Sequence, residues 1–272
     1  MGEITLSAMN VYPIKSCAGT GVAEWEVDRF GLKHDRRWMV ITAEGEFLTQ
    51  RDVPAMALIK PRIAGIHLRV NAPEMPELVL PLEPQGGRPV ATRVWEDRLQ
   101  VIAPDHRADG WISQVMGREC QLVYMPPDYL RPVDATYAPD GGQASFADGF
   151  PFLLAGEASL ADLNRRLLAP LPMNRFRPNL VVRGSEPWAE DTWAAFSVGG
   201  IPMQGVKLCA RCVVTTTEQN TGQRDGQEPL RTLATFRKHA RGVMFGQNVV
   251  HYGVGRLKLG DKLVVERSAP SR

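Results

Sequence analysis

The sequence has few cysteines, no long apolar run and almost no excess of charge, and each absence excludes a class of protein. Its 272 residues include four cysteines, too few for the disulfide framework of a small secreted domain. No apolar run is long enough to span a bilayer. The formal net charge is +2, without a long basic run, which argues against binding driven by phosphate neutralisation. We therefore predict no membrane segment and no nucleic-acid partner.

The remaining composition is that of an ordinary globular protein. Apolar residues make up 44% of the chain and charged residues 23%, and the length allows one large domain or two small ones. The first residues, MGEITLSAMN, lack the basic and apolar regions of a signal peptide. The predicted location is therefore cytoplasmic.

Short strands separated by turns dominate the predicted secondary structure. Apolar and polar residues alternate at 4–8, and further strand-like runs follow at 37–42, 66–70, 77–82, 92–96, 206–216, 247–252 and 262–266. Helical spacing of apolar residues predicts helices at 106–116, 159–168 and 229–238. Many short strands with few helices favour a barrel or a sandwich. A stretch rich in Pro, Asp and Gly at 126–143 predicts a long connection or lid at a domain boundary.

Two polar clusters in the first half carry residues that are able to bind an anion. Lys15 and Ser16 follow a strand-ending proline and offer an ammonium group, a hydroxyl and backbone N–H groups. Asp35 stands beside Arg36 and Arg37, so it can orient one arginine toward a ligand. Ordinary polar loop residues would give the same pattern, and the residues alone leave both interpretations open.

A third cluster is the run NRFRPN. Arg175 and Arg177 are two residues apart, so an extended chain would place both on one face and Phe176 on the other. Such a pair predicts an anion clamp. Two surface arginines next to a proline break are the alternative.

The fourth cluster, KLCARC, contains a single C-x-x-C pair, Cys209 and Cys212. The pair is compatible with a redox dithiol, half of a zinc site, or one metal-binding thiolate beside a bystander. A structural zinc site would need a second close pair, but Cys17 and Cys120 are isolated. Arg211 should favour the Cys212 thiolate, a soft ligand that suits a soft or high-valent metal. One buried inert cysteine and one exposed cysteine are the alternative.

Taken together, these clusters resemble the MOSC family (molybdenum cofactor sulfurase C-terminal domain) with its N-terminal β-barrel partner domain, and especially the amidoxime-reducing components and their bacterial counterparts. The resembling segments cover both halves of the chain: VYPIKSCAG (11–19), GLKHDRRWMVIT (31–42), GEFLTQR (45–51), FPFLLAGEASLADLN (150–164), NRFRPNLVV (174–182), WAEDTW (188–193), CARCVVTT (209–216), TGQRDGQEPLRTL (221–233) and FGQN (245–248). The resemblance implies an α+β, β-rich fold. An N-terminal β-barrel-like domain (1–125) would precede a MOSC-type β-barrel domain (126–272) with a few short helices.

The resemblance also implies a cofactor and the residues that hold it. The family binds the pterin-based molybdenum cofactor, and one cysteine ligates the metal. Matched position by position, that ligand is Cys212, with Cys209 as the runner-up. The implied cofactor-binding residues are Lys15, Ser16, Arg36, Arg177, Asn179, Arg211 and Asn248. Cationic side chains and free amide N–H groups suit a cofactor that ends in a phosphate and carries a polar pterin.

The implied reaction is the reduction of small N-hydroxylated compounds (amidoximes, hydroxylamines or N-hydroxylated bases) at a Cys-ligated molybdenum. The chain has no plant-type C-x4-C-x2-C run for an iron–sulfur cluster, so we expect a separate electron donor: a ferredoxin, a flavoprotein or a haem protein. The alternatives are a sulfur carrier with a persulfide on Cys212 or Cys209, a non-catalytic cofactor carrier, and a thiol–disulfide protein. No side chain in the sequence stands out as a proton donor.

Overall fold

The structure, a computed structural model, describes residues 2–224 and 226–269. The described strands, numbered β1 to β19 in chain order, are Thr5–Val11, Thr20–Val22, Glu24–Asp28, Gly31–Leu32, Trp38–Thr42, Lys60–Ala64, His67–Asn71, Leu78–Pro81, Arg88–Val94, Asp97–Ala103, Cys120–Tyr124, Phe152–Gly156, Leu180–Arg183, Trp193–Val198, Ile201–Arg211, Lys238–His239, Gly242–His251, Gly255–Lys258 and Leu263–Ser268. The helices are α1 to α3, at His106–Met116, Glu157–Arg166 and Leu230–Leu233, and there are 3-10 turns at Pro54–Leu58, Met173–Arg175, Ala189–Thr192 and Val213–Thr216. The strand-rich α+β class is therefore confirmed. None of the described helices is long and apolar enough to cross a membrane.

The three helix predictions agree with the structure to different degrees. Helix α1 has the predicted bounds and ends at Gly117, whose φ of 65° is the left-handed conformation that favours glycine. Helix α2 begins two residues earlier than predicted, because the Ser159 hydroxyl donates to the buried Glu190 carboxylate at 2.8 Å instead of capping the helix. The prediction at 229–238 is wrong in length, since only one helical turn forms before the chain enters β16.

One large sheet joins the two halves of the chain. Its strand order is β19-β14-β15-β17-β12-β13-β1-β2, and β16 pairs with β17. Strands β1 and β12 flank β13, the first antiparallel and the second parallel. Leu6 N donates to Asp261 O and Leu263 N donates to Ile4 O, both at 2.8 Å. These bonds bring the two ends of the sheet close to each other, although no closed barrel forms in the described part of the chain.

Three smaller sheets complete the fold. The sheets β5-β11-β10-β9 and β6-β7-β8 belong to the first half, whereas β18-β3-β4 combines strands from both halves. The core of the first half is built around Trp38 and Tyr124, whose ring centroids lie 5.0 Å apart. Phe152 and Trp193 belong to the core of the large sheet. Because backbone pairing crosses between the halves in two sheets, the domain boundary near residue 126 stays a prediction.

The long connection between β11 and β12 is fastened to the rest of the protein. Arg131 is 4% exposed, and its Nη1 donates to the carbonyl oxygens of Ser145 and Ala147, both at 2.6 Å. Its Nε donates to Asp97 at 2.8 Å. A buried guanidinium with a carboxylate and three carbonyl partners, the third being Asp148 O at 3.3 Å from Nη2, fixes the chain locally. Arg131 therefore fixes the position of residues 145–147, which precede β12.

The buried His251 should make stability depend on pH. Burial lowers the pKa of His251 below its ordinary value of 6.5, against the opposing hydrogen bond to Gly253 O. This contribution to stability is therefore present above pH 6.5 and is lost as the pH falls through the folded pKa. We expect His251→Gln to flatten the free energy of unfolding against pH, by at most about 1.4 kcal/mol per pH unit. Urea titrations on the acid side of neutrality measure this slope.

The matched control for that prediction is His106→Gln, because the His106 side chain is 88% exposed. It should leave the slope at the wild-type value. A wild-type slope in His251→Gln as well would contradict the burial argument.

Candidate functional site

Three of the predicted cofactor-binding residues, here called the anchors, share an uncommon backbone conformation. Ser16, Arg36 and Arg177 have φ values of 65°, 48° and 56°, in the left-handed region that few residues other than glycine adopt. Among the described residues, seven non-glycine residues have positive φ, so these three make up almost half of the set. Such conformations persist where the surroundings enforce them, and they are enriched at ligand sites.

A buried ion pair holds Arg36 in place. Its Nη1 donates to Asp35 Oδ2 at 2.5 Å and to Asn179 Oδ1 at 2.9 Å. Asp35 is 1% exposed and also accepts from the backbone N of Tyr12 at 2.8 Å. Burial raises the pKa of the Asp35 carboxyl, and the Arg36 guanidinium opposes that rise. Asp35 therefore orients Arg36, as its place in the sequence suggests.

Tyr12 brings two arginines together on its buried ring. The guanidinium carbons of Arg36 and Arg177 each lie 4.4 Å from the ring centroid, a cation–π distance. The Tyr12 hydroxyl donates to Pro178 O at 3.1 Å. A β-carbon on Gly19 would lie 2.4 Å from a ring carbon of Tyr12, so glycine is needed beside the ring. Tyr12 was missed from the sequence, because a lone aromatic residue after a strand looks like any core residue.

Arg177 approaches this ring with a hydrogen-bonding group unused. The residue is 9% exposed, and its Nη2 has no hydrogen-bond partner among the described residues. Burial lowers the pKa of the Arg177 guanidinium, and the neighbouring Arg36 acts in the same direction. A buried cation with an unpaired N–H is costly in the free protein. The same group is a ready donor to an anion.

The predicted extended clamp at Arg175 and Arg177 is wrong. Met173–Arg175 is a 3-10 turn and Arg177 has a positive φ, so the two side chains go to different partners. Arg175 Nε donates to Thr215 O at 3.0 Å, and its Nη2 donates to Thr216 O at 3.2 Å. Arg175 therefore holds the turn that follows the C-x-x-C pair, and of the two arginines Arg177 is the one that lies at the Tyr12 ring.

Lys15 links the site to the segment before β12. Its Nζ donates to Phe146 O at 2.8 Å and to Asp148 Oδ1 at 2.5 Å. Burial lowers the pKa of Lys15, and the Asp148 carboxylate opposes that shift. The backbone O of Ser16 accepts from Gln50 Nε2 at 2.8 Å, whereas the Ser16 hydroxyl makes no hydrogen bond among the described residues. Backbone contacts thus fix Ser16 and leave its hydroxyl for a ligand.

Cys209 and Cys212 are the two cysteines that a ligand can reach. All four thiols are free; Cys212 is exposed, Cys209 is half-buried, and Cys17 and Cys120 are buried. Burial raises the pKa of the Cys17 thiol to about 12, so that thiol is unreactive near neutral pH. The C-x-x-C pair is therefore the reachable source of thiolate.

Arg211 contacts Cys209, not Cys212 as the sequence suggested. Its Nη1 lies 2.9 Å from Cys209 Sγ, and its Nη2 donates to Phe176 O at 2.7 Å. The pleat of β15 places residues 209 and 211 on one face, whereas Cys212 begins the following 3-10 turn. The role of Cys212 as a metal ligand stays a prediction.

Four buried donors around the C-x-x-C segment have no partner in the part of the chain that the structure describes. They are Arg177 Nη2, Arg211 Nε, Arg224 Nε and Thr217 Oγ1. Such atoms are rare, because an unmade buried hydrogen bond costs about 1–3 kcal/mol. Guanidinium N–H groups and a hydroxyl suit the oxygen atoms of an anion. Thr217 and Arg224 share a backbone bridge, and both were missed because neither stands in a charged cluster.

Asn179 and Asn248 differ in how the protein holds them. Asn179 is 1% exposed; besides Arg36, its Oδ1 accepts from Leu153 N and its Nδ2 donates to Asn10 O, both at 3.2 Å. Asn179 therefore holds the Arg36 guanidinium in position. Asn248 is half-buried on β17, and its side chain makes no hydrogen bond within the described residues.

Asn179→Ala should therefore destabilise the cofactor-free protein, by about 1–3 kcal/mol, because it removes the hydrogen bonds to Leu153 N, Asn10 O and Arg36 Nη1. Arg36 keeps its ion pair with Asp35. Denaturant unfolding measures the change. Asn248→Ala is the matched control and should stay within about 0.5 kcal/mol of the wild type. Equal effects in the two variants would contradict the positioning role of Asn179.

A cavity of about 360 Å³ lies beside the site and not within it. Its lining includes Asn10, Glu157, Leu160 and Met173, and none of the predicted anchors. The described residues also contain no group of three or more His, Cys, Asp or Glu side chains that could hold a metal ion. The candidate site is the junction between the segments around Tyr12 and Cys212, which are linked where Arg211 donates to Phe176 O beside Arg177.

The fold and this junction define a strand-rich, two-part protein with a reachable cysteine pair beside a buried arginine cluster. Residues 3–119 match the MOSC N-terminal beta barrel domain, and residues 141–264 match the MOSC domain. The chain belongs to the MOSC-domain family, as the resemblance in the sequence predicted.

Relatives extend over nearly the whole chain. Mitochondrial amidoxime-reducing component 1 of Xenopus laevis is 34% identical over 278 residues, which cover 94% of this chain and 80% of the relative. The Homo sapiens protein of that name is 32% identical, with 94% and 81% covered. The molybdenum cofactor sulfurase of Oryza sativa subsp. japonica is 32% identical and matches 90% of this chain but 32% of its own length.

Proposed function

We propose that this protein binds the molybdenum cofactor and reduces N-hydroxylated compounds, namely amidoximes, hydroxylamines or N-hydroxylated bases. The observation that carries the proposal is the set of buried, unpartnered donors beside an exposed cysteine, Cys212. The name of one relative, amidoxime-reducing component, supports the reaction, and the name of another, molybdenum cofactor sulfurase, supports the cofactor.

The residues present fit such a cofactor. Its phosphate and pterin need charged and neutral hydrogen-bond donors, and Arg36, Arg177 and Lys15 supply cations from both halves of the chain. Arg211 and the Ser16 hydroxyl would add further donors. Asn248 lies on β17, the strand that pairs with β15, and is a further proposed contact of the cofactor.

Each residue of the chain has a separate task in this proposal. Asp35 and Asn179 keep the Arg36 guanidinium fixed, so anion binding needs little reorganisation. The Cys212 thiolate would ligate the metal and tune its potential. When bound, the cofactor supplies two-electron chemistry that splits the N–O bond, so that R–NHOH, two electrons and two protons give R–NH2 and water.

The electrons should come from a separate protein, a ferredoxin, a flavoprotein or a haem protein, and the protein should act in the cytoplasm. To test the reaction, we would load the protein with molybdenum cofactor and supply reduced viologen with benzamidoxime. We expect benzamidine, with two viologen electrons consumed per product, and no turnover with NADH alone. Loaded protein that retains molybdenum but yields no benzamidine would contradict the proposed reaction, and full turnover with NADH alone would contradict the separate donor.

A second candidate function is sulfur transfer through a cysteine persulfide. The contact of 2.9 Å between Arg211 Nη1 and Cys209 Sγ favours it, because a guanidinium N–H beside this sulfur could bind the terminal sulfur of a persulfide. Cys209 would take that sulfur from a donor persulfide, which leaves as its thiol. Cyanide-releasable sulfur on freshly purified protein would support this function. Its loss in Cys209→Ser, with retention in Cys212→Ser, would identify the carrier.

A further inference from the structure

Trp95 occupies a position where a large side chain is out of place. It is the first of the two residues that join β9 to β10, between the paired residues Val94 and Asp97. Its φ is 56° and the residue is 45% exposed. Turns of this length with positive φ favour Gly, Asn or Asp, and a bulky residue there is a genuine outlier. Because strained backbone conformations cluster at functional sites, the positive φ of Trp95 indicates a role in binding.

The neighbours of Trp95 form a surface of rings and positive charge. The Arg51 guanidinium carbon lies 4.4 Å from the Trp95 ring centroid. Phe47 meets Trp95 nearly edge-on, with centroids 5.5 Å apart at 72°. Lys15 Nζ lies 5.5 Å from the Phe47 ring centroid. The surface formed by Trp95, Arg51 and Phe47, here called the Trp95 platform, is thus continuous with a proposed cofactor anchor.

The platform is also tied to the segment that follows the cysteine pair. Arg224 donates through its guanidinium to the carbonyl oxygens of Gln50 and Arg51. Thr217, at the end of the turn that Cys212 begins, pairs with Arg224 through a backbone bridge. The backbone that carries the Arg51 side chain is therefore held by the cysteine side of the site as well as by the Lys15 side.

We infer that the Trp95 platform binds the planar heterocycle of N-hydroxylated bases and so selects these substrates over small hydroxylamines, an inference that rests on the proposed function. Every base presents a π-face that can stack on an indole, and stacking of this kind tolerates different bases. The Arg51 guanidinium is planar and can stack while its N–H groups donate to ring nitrogen or oxygen atoms. Hydroxylamine itself has no ring, so the platform gives it no advantage.

A binding measurement tests the platform without any reaction. Adenine, the reduced product of N6-hydroxyadenine, is titrated into cofactor-free protein by calorimetry. We expect Trp95→Ala to weaken binding about tenfold. The matched control is Ile66→Ala, because Ile66 is 78% exposed in the turn between β6 and β7. It should bind adenine as the wild type does.

Trp95→Asn separates recognition from folding. Asn tolerates positive φ better than Trp, so we expect a Tm equal to or above that of the wild type, together with the same loss of adenine binding. A Tm below the wild-type value with unchanged adenine binding would assign Trp95 a purely structural role and overturn the inference.

Kinetics with cofactor-loaded protein give the third measurement. In Trp95→Ala, we expect KM for N6-hydroxyadenine to rise about tenfold and KM for hydroxylamine to stay unchanged. Equal changes for the two substrates would overturn the inference. If loaded wild type reduces neither compound but adenine binding depends on Trp95, the proposed reaction fails and the platform stands. If adenine binds wild type and Trp95→Ala equally, the platform fails whatever the activity.

Discussion

Cys212→Ser is expected to abolish molybdenum-dependent activity and to weaken metal retention while the fold survives. A serine hydroxyl is not ionised near neutral pH and is a harder ligand than a thiolate. Changing groups that only support a metal ligand already costs roughly 10–100-fold, so we expect a loss of at least about 100-fold for the ligand itself. Because Cys212 is exposed, stability should change by no more than about 0.5 kcal/mol.

Cys209→Ser is the matched control, three residues away in the same C-x-x-C pair. It removes the sulfur next to Arg211 Nη1 but leaves the proposed ligand. Molybdenum per protein and the benzamidoxime rate should stay close to the wild-type values. Equal losses in the two variants would contradict the assignment of the ligand to Cys212.

Arg177→Met and Arg36→Met should separate cofactor binding from stability. Arg177 is buried with an unpartnered Nη2, so its loss should weaken cofactor binding by about 1–3 kcal/mol. The cofactor-free protein should stay within about 1 kcal/mol of the wild type, because the lost contact with Tyr12 and the relief from burying a cation oppose each other.

Arg36→Met should behave differently in the cofactor-free state. It leaves the Asp35 carboxylate, which is 1% exposed, buried without its cation, at a cost of about 3–5 kcal/mol. Denaturant unfolding and cofactor content, measured on both variants, give the comparison. A larger destabilisation in Arg177→Met than in Arg36→Met would contradict these roles.

The fold was predictable where the signals are local. Helix α1 ends at a glycine in the left-handed conformation, and both its bounds follow from the sequence. The predicted strand at 206–216 is right as far as Arg211, where β15 ends, and wrong beyond it, because Val213–Thr216 form a 3-10 turn. Val and Thr favour strands, but the hydroxyls of Thr215 and Thr216 donate to carbonyls three residues earlier, and such bonds compete with a strand.

The long-range pairing was not predictable. Strand β1 pairs with β13 through contacts such as Met9 with Leu180, which lie in opposite halves of the chain. No local pattern specifies such a register, since period-2 alternation identifies the buried face of a strand but not its neighbour. The hydrogen bonds that bring the two ends of the large sheet together are likewise not specified by any local pattern.

The site was predictable where charge marks it. Arg36 and Arg177 stand in polar clusters, and both lie at the Tyr12 ring. The partner of Arg211 depends on where β15 ends, so the sequence led to Cys212 where the structure has Cys209. Thr217 carries no charge, and its unpartnered hydroxyl is evident only from the folded structure.

X-ray absorption at the molybdenum edge, recorded on cofactor-loaded protein, tests the central claim most directly. The wild type and Cys209→Ser should give the same number of sulfur neighbours around the metal, and Cys212→Ser should show one fewer. If the spectrum of Cys212→Ser matches that of the wild type, the thiolate at 212 does not ligate molybdenum, and the account of this site is wrong.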